Sequence, residues 1–120
     1  MQDFHKVDAW SKAHDLTLRI YRSTENFPRE ETFGLAVQLR RVGALIPMKI
    51  AEGCGKSSNQ ELVSCLQQAR GSGVDLEYLL LLARDLEFIK APEHDVLLHQ
   101  LVEVRKMLSG FIKTVSSVAI

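Results

Sequence analysis

The stretch from Gly34 to Lys56, GLAVQLRRVGALIPMKIAEGCGK, decides the fold. Its apolar residues recur at spacings of three and four, which places them on one face of a long helix. These residues are Leu35, Leu39, Val42, Ile46 and Ile50. A second stripe with the same spacing comprises Gln38, Arg41, Leu45, Met48 and Glu52. A helix with apolar residues on two faces needs two packing partners, so we expect the first face in the core and the second against another subunit.

A proline, Pro47, lies inside this pattern. Proline has no N–H, and its ring crowds the carbonyl four residues back, at a cost of about 3 kcal/mol inside a helix. That carbonyl belongs to Gly43, which has no side chain, and the apolar spacing continues through Ile50. We therefore expect one helix kinked at Pro47. Two short helices that meet at Pro47 are the alternative.

The apolar spacing predicts four helices, at about residues 8–25, 31–53, 59–88 and 92–117. Asp8 is the expected N-cap of the first helix. Gly53-Cys54-Gly55 is expected to end the second, with a glycine in the left-handed conformation. Ser58 and Glu61 have the spacing of a capping box ahead of the third helix.

Short connections make sequential helices antiparallel. The sequence therefore predicts an all-α fold, an antiparallel up-down-up-down four-helix bundle, in a single domain of residues 1–120. The second half of the third helix contains four consecutive leucines, which point about 100° apart. One monomeric core cannot cover all four, so Leu79 and Leu82 are expected to join the second stripe in a subunit interface.

Composition narrows the classes of function. The chain of 120 residues has 15 basic and 15 acidic side chains, which argues against a generally basic nucleic-acid-binding protein. No apolar run approaches the roughly 20 residues that span a bilayer, so no membrane association is expected. Two cysteines without an export signal indicate free thiols in the cytoplasm.

Catalytic and metal sites are not expected. Four-helix bundles that bind two metal ions use inward-facing Glu-x-x-His pairs, and the chain contains no such pair. Gly53 to Ser57 resembles only the end of a phosphate-binding loop and follows a helix instead of a strand. Cys54 has no base partner that the sequence reveals. We therefore expect no enzyme, no metal and no cofactor.

The charges are uneven along the chain. Between residues 40 and 70 the basic residues exceed the acidic ones by three. The basic residues are Arg40, Arg41, Lys49, Lys56 and Arg70. Such a local patch could contact RNA phosphates. The alternative is a set of salt bridges within or between subunits, such as Arg41 with Glu52 and Arg70 with Glu77.

Several motifs occur in a fixed order along the chain. They are Trp10-x-Lys12-Ala13-His14-x-Leu16, Phe27-Pro28, Gly34-Leu35-x-x-Gln38-Leu39-Arg40-Arg41, Ile46-Pro47-x-x-Ile50-Ala51-Glu52-Gly53, Ala69-Arg70-Gly71-Ser72 and Leu76-Glu77. Over residues 4–118 the chain thereby resembles the bacterial four-helix bundle proteins first known from reading frames in 23S rRNA intervening sequences. The resemblance implies a ring-shaped homopentamer and no established enzymatic activity. A related branch, the accessory variability proteins of diversity-generating retroelements, comprises basic pentameric barrels that associate with a reverse transcriptase and nucleic acid.

Two positions depart from that family's pattern, since Leu45 and Lys49 stand where serine and asparagine are usual. The leading hypothesis is a non-enzymatic oligomeric bundle that acts as an assembly scaffold or an RNA-associated scaffold, with the five basic residues as RNA contacts. The alternative is a pure protein–protein interaction module, for example a partner of a reverse transcriptase, that contacts no nucleic acid.

Overall fold

The computed structural model describes residues 2–31 and 34–118, which form four α-helices. These helices are α1 (Asp8–Ser23), α2 (Leu35–Cys54), α3 (Asn59–Asp85) and α4 (Ala91–Val118). Short 3₁₀ helices at Phe4–Lys6 and Arg29–Glu31 precede α1 and α2. Because α2 runs through Pro47 without a break, the alternative of two short helices is wrong, whereas the kink stays a prediction.

The helices pack in a closed cycle, α1 on α2, α2 on α3, α3 on α4 and α4 on α1. Side chains late in one helix contact residues early in the next: Arg40 reaches Thr24, and Gly53 lies against Leu62. This order makes the neighbours antiparallel. The predicted all-α, up-down-up-down four-helix bundle is confirmed, in a body of 49 × 22 × 20 Å.

The core follows the first stripe of the opening stretch, and all five of its predicted members are buried. Where α1 crosses α2, the Ile20 side chain comes so close to Gly43 that an added Cβ would lie 2.8 Å from its Cδ1 atom. The Thr17 hydroxyl lies 3.0 Å from the Gly43 carbonyl oxygen and 3.0 Å from the Ala13 carbonyl oxygen, so its one proton is shared between the two acceptors. Pro47 cannot donate to the Gly43 carbonyl, so α1 supplies the hydrogen bond that the proline removes from α2.

The predicted N-terminus of α1 needs a correction. Asp8 is the first residue of α1 and Val7 is its N-cap, which offers no side-chain hydrogen bond. The 3₁₀ helix explains the difference, because it brings the chain into α1 through Val7. Asp3 caps that 3₁₀ helix by accepting a hydrogen bond from the His5 backbone N–H at 3.1 Å.

The start of α2 also differs, since the helix begins at Leu35 and not near residue 31. Glu31 ends the preceding 3₁₀ helix, and its carboxylate accepts a hydrogen bond from the Leu35 N–H at 2.7 Å. A carboxylate that accepts from the first N–H groups stabilises a helix start. Glu31 therefore acts as the cap.

At the other end of α2, the expected left-handed glycine is wrong. None of the described glycines has a positive φ, and Gly55 follows the helix at φ −85°. Gly53 is required for a different reason: an added Cβ would lie 2.9 Å from the Cys65 Cβ and 2.9 Å from the Leu62 Cδ1. The glycine allows α2 and α3 to approach closely.

The boundaries of α3 come from two local motifs. The predicted cap is confirmed, because the Ser58 hydroxyl accepts from the Glu61 N–H at 3.2 Å, although the Glu61 carboxylate pairs with that hydroxyl instead of the backbone. α3 ends at Asp85, before the predicted residue 88, because Glu87 takes the left-handed conformation at φ 64°. Phe88 N–H then donates to Ala83 O at 2.9 Å, the bond of a Schellman motif.

Candidate functional site

The second stripe of α2 forms an exposed surface, which we call the outer α2 surface. Its members are Val37, Gln38, Arg41, Leu45, Met48 and Glu52. Met48 is 60% exposed and Val37 is 41% exposed, whereas Leu45 is half-buried. Arg41 donates to the Gln38 side-chain oxygen at 2.9 Å. The stripe that the sequence assigned to a second partner is therefore uncovered by the bundle itself.

Leu79 and Leu82, which were predicted for the same interface, are more buried than Met48 and Val37. Leu79 and Leu82 are half-buried and pack against the core of their own bundle. Of the four consecutive leucines, Leu80 is fully buried and Leu81 is the exposed one, at 37%. The bundle therefore covers more of this leucine run than the sequence suggested, and Leu79 and Leu82 remain only predicted as interface residues.

A charge cluster surrounds Glu52 at the end of α2. The Lys49 ammonium lies 3.1 Å from one Glu52 oxygen, and the Lys56 ammonium lies 3.9 Å from the other. The hydrogen bond from Lys49 holds the pKa of the Glu52 carboxyl below its usual value. The Cys65 thiol donates to the same carboxylate at 3.7 Å, and burial raises the pKa of that thiol. One carboxylate thus offsets two of the cations predicted to contact RNA.

Arg40 has a role in packing. Its guanidinium lies over the Tyr21 ring at 4.9 Å from the ring centroid. Its Nε donates to the Thr24 hydroxyl at 2.8 Å and its Nη2 to the Tyr21 carbonyl at 3.2 Å. Arg40 therefore joins the end of α1 to the start of α2, and two of its three side-chain nitrogens already donate within the chain.

The five predicted RNA contacts do not form one patch. Arg40 and Lys56 lie about 24 Å apart along α2 at the rise of an α-helix. Arg70 lies on α3 in a groove against α4. Within one chain, the expected salt bridges of Arg41 with Glu52 and of Arg70 with Glu77 do not form, because Glu52 pairs with lysines and Glu77 pairs with Arg105. Their formation between subunits stays a prediction.

The sequence analysis missed a second exposed surface, the groove between α3 and α4. Its apolar members on α3 are Val74 and Tyr78, at 53% and 61% exposure, and α4 contributes Val102 at 37%. Arg70 and Lys106 lie at one end. Val74, Tyr78 and Leu81 recur at helical spacing on a face of α3 outside the core. This apolar stripe is the sequence signal that predicts the groove.

An ion pair fastens α1 to α4. Arg19 donates through Nε and Nη2 to the two oxygens of Glu93, at 3.0 and 2.8 Å. The Ser23 hydroxyl donates to the same carboxylate. The hydrogen bond from Arg19 holds the pKa of the Glu93 carboxyl below its usual value and raises the pKa of the guanidinium. This pair stabilises the fold and lies outside both exposed surfaces.

The described residues contain no group of three or more histidine, cysteine, aspartate or glutamate side chains that could hold a metal ion. Both cysteines are buried free thiols, and burial raises the pKa of each, which lowers their reactivity at neutral pH. Within residues 2–31 and 34–118, no helix has the length and hydropathy of a membrane span. The exposed surfaces are suited to binding.

Comparison with known proteins agrees with the fold. Residues 5–110 match the family described as 23S rRNA-intervening sequence protein. The structure is similar to the crystal structure of a protein of unknown function from the S23 ribosomal protein family of Bacteroides thetaiotaomicron VPI-5482. That similarity has a TM-score of 0.78 at 24% identity and covers 88% of this chain and 98% of the other. At this identity it shows the fold alone, and no curated protein matches the chain.

Proposed function

The chain belongs to the 23S rRNA-intervening sequence protein family, and we propose that it is a non-enzymatic scaffold that assembles with copies of itself through the outer α2 surface. The observation that best supports this proposal is the exposure of Met48. This unbranched apolar side chain is 60% exposed within a 20-residue helix. Exposed apolar patches on a folded protein mark interaction sites.

The composition of the outer α2 surface supports this use. Methionine and arginine are enriched at the centres of protein interfaces, where charged residues are otherwise depleted. Met48, Leu45 and Arg41 follow one another along the surface at helical spacing, and the charged Glu52 lies toward its end. Apolar side chains therefore occupy the middle of the surface, as in an interface with a polar rim.

The family resemblance gives the expected number of subunits, five in a ring. A ring forms by head-to-tail contacts, in which two different surfaces of each copy meet. The outer α2 surface would be one of these two surfaces. A dimer with two-fold symmetry would instead pair this surface with itself.

Size-exclusion chromatography with light scattering tests the proposal. We expect the wild-type chain to elute with a mass of several subunits and Met48→Glu to shift it to one subunit, because the substitution places a charge in the interface. Val74→Glu is the matched control, since Val74 is similarly exposed on α3 but lies in the other groove. A monomeric wild-type protein, or dissociation by Val74→Glu and not by Met48→Glu, would refute the outer α2 surface as the contact.

RNA contact is the second candidate. It is supported by Arg41 and Arg70, whose guanidinium groups are exposed and form no ion pair with a described carboxylate. Binding through phosphates should weaken steeply as salt rises. Filter binding of a labelled single-stranded RNA between about 50 and 200 mM salt measures this dependence, with Arg41→Ala/Arg70→Ala as the test variant and Lys113→Ala as the control. Retained affinity in the double variant would refute Arg41 and Arg70 as the contacts, and no salt-dependent binding by the wild type would leave the protein-only module as the function.

A further inference from the structure

The groove between α3 and α4 is a separate surface that self-assembly through α2 does not use. Its lining, which we call the basic groove, consists mainly of Arg70, Val74, Tyr78, Leu81, Val102 and Lys106. It extends from Arg70 to Arg84 on α3, about four helical turns or roughly 21 Å. This length matches a short helical segment.

The floor of the basic groove is apolar along most of its length. Val74, Tyr78 and Leu81 recur at spacings of four and three, and their exposed fractions are 53%, 61% and 37%. Val102 of α4 borders the same floor, with 37% of its surface exposed. A stripe of this spacing on two neighbouring helices can receive the apolar face of a third helix.

The unpaired charge of the basic groove is concentrated at one end, since Arg84 at the other end is paired with Asp85. Arg105 is paired with Glu77. Arg70 and Lys106 are exposed and form no ion pair with a described carboxylate. Two cations without partners beside an apolar floor are complementary to a partner with apolar residues at helical spacing and carboxylates beside them.

The same charges argue against two other occupants. The outer α2 surface of a second copy carries Arg41 without an ion-pair partner among the described carboxylates, and its Glu52 is already paired with the neighbouring Lys49 and Lys56, so it would bring positive charge to positive charge. A polynucleotide needs cations along its whole path. The middle of the groove, from Val74 to Leu81, offers it apolar side chains and a glutamate that is already paired.

We propose that the basic groove binds an acidic amphipathic helix of a partner protein, with the apolar face of that helix on the groove floor and its carboxylates at Arg70 and Lys106. The site is distinct from the outer α2 surface. A substitution in one surface can therefore abolish assembly without affecting partner binding, and a substitution in the other can do the reverse.

Fluorescence anisotropy on the full-length chain tests this proposal. The probe is a fluorescein-labelled peptide of 18 residues with leucine at positions i, i+4, i+7 and i+11, glutamate beside them and alanine elsewhere. One control peptide replaces each glutamate with lysine, and another scrambles the leucine positions at the same composition. We expect the acidic amphipathic peptide to bind at least tenfold more tightly than either control.

Variants then locate the binding. Arg70→Glu/Lys106→Glu should weaken the acidic peptide at least tenfold and strengthen the lysine peptide, and Val74→Ser should weaken both peptides. Lys12→Glu/Lys113→Glu is the matched control on other exposed surfaces, and it should not alter affinity. Light scattering of each variant shows that the assembly is unchanged.

Three results would overturn the proposal. The first is equal binding of the acidic and lysine peptides. The second is full binding of the acidic peptide by Arg70→Glu/Lys106→Glu. The third is tighter binding of a labelled 20-nucleotide oligo(U) that competes with the peptide and is lost in the same double variant, since this would identify the groove as a site for polyanions. Dissociation of the assembly by Met48→Glu with peptide binding intact would support both proposals separately.

Discussion

The hydrogen bond from Thr17 to Gly43 makes a quantitative prediction. The Gly43 carbonyl is buried at the crossing of α1 and α2, and Pro47 has no N–H to offer it. The Thr17 hydroxyl is the donor, at 3.0 Å. Thr17→Val keeps the shape of the side chain and removes the donor, so the carbonyl loses its partner. An unsatisfied buried polar group costs about 1–3 kcal/mol.

The proline allows a double-mutant cycle. Pro47→Ala restores a backbone N–H four residues after Gly43, which can donate to the same carbonyl. In that background Thr17→Val should cost at most about half of its effect in the wild type, which is a coupling of at least about 0.5–1.5 kcal/mol. The coupling does not depend on the direction in which Pro47→Ala alone changes the free energy of unfolding. For that single change, a gain in helix propensity and the loss of a buried ring oppose each other.

Urea unfolding followed by circular dichroism measures all four members of the cycle. One protein concentration is used throughout, because the proposed self-association would add to apparent stability. Thr114→Val, on the exposed side of α4, is the control and should change stability by less than about 0.5 kcal/mol. Equal costs of Thr17→Val with and without Pro47→Ala would refute the compensation between α1 and the proline.

Four other substitutions follow from the backbone and the α1–α4 ion pair. Gly53→Ala should destabilise the protein by about 1–2 kcal/mol, because its Cβ would overpack α3. Gly71→Ala should stabilise it by up to about 1 kcal/mol, because no atom lies within 4 Å of the new Cβ. Equal unfolding midpoints of the two variants would contradict the close approach of α2 and α3 at Gly53. Glu87→Gly should raise stability by about 0.5–1 kcal/mol, since glycine adopts φ 64° without strain, and a lower melting temperature would count against it. Glu93→Gln should cost roughly 1 kcal/mol at pH 7, after screening of the partly exposed Arg19. Because folding lowers the pKa of Glu93, this contribution is present above the unfolded pKa and disappears as pH falls through the folded pKa, so unfolding curves of the two proteins should converge in acid.

The sequence predicted those parts of the fold that local periodicity determines. Burial repeats with the helical period, so the stripe from Leu35 to Ile50 identified the core face of α2 and, by exclusion, the exposed stripe that contains Met48. The capping box at Ser58 was predictable because its partner, Glu61, lies within the same turn. In each case the determining residues are neighbours in sequence.

The errors arose where a residue depends on a distant partner. Gly53 has the sequence context of a helix end, but its requirement comes from Cys65 on α3. Arg40 counted as a free cation until α1 supplied Tyr21 and Thr24. A count of charges along the chain therefore overestimates the number of unpaired cations on the surface. The packing of the helices decides which cations acquire partners.

The unpaired cations show whether the outer α2 surface of one copy can bind the basic groove of another. If the outer α2 surface of one copy filled the basic groove of the next, Arg41 would approach Arg70 and Lys106, and like charges at an interface disfavour the pairing. Assembly through α2 therefore requires a different opposing surface. If the proposed ring forms through such a surface and leaves the basic groove uncovered, the ring presents one groove per subunit. Several identical grooves on one scaffold would bind a partner with several acidic helices much more tightly than a single groove does, because later contacts form at high effective concentration. Joining two copies of the acidic peptide by a flexible linker should consequently raise affinity for the wild-type assembly and not for the Met48→Glu monomer.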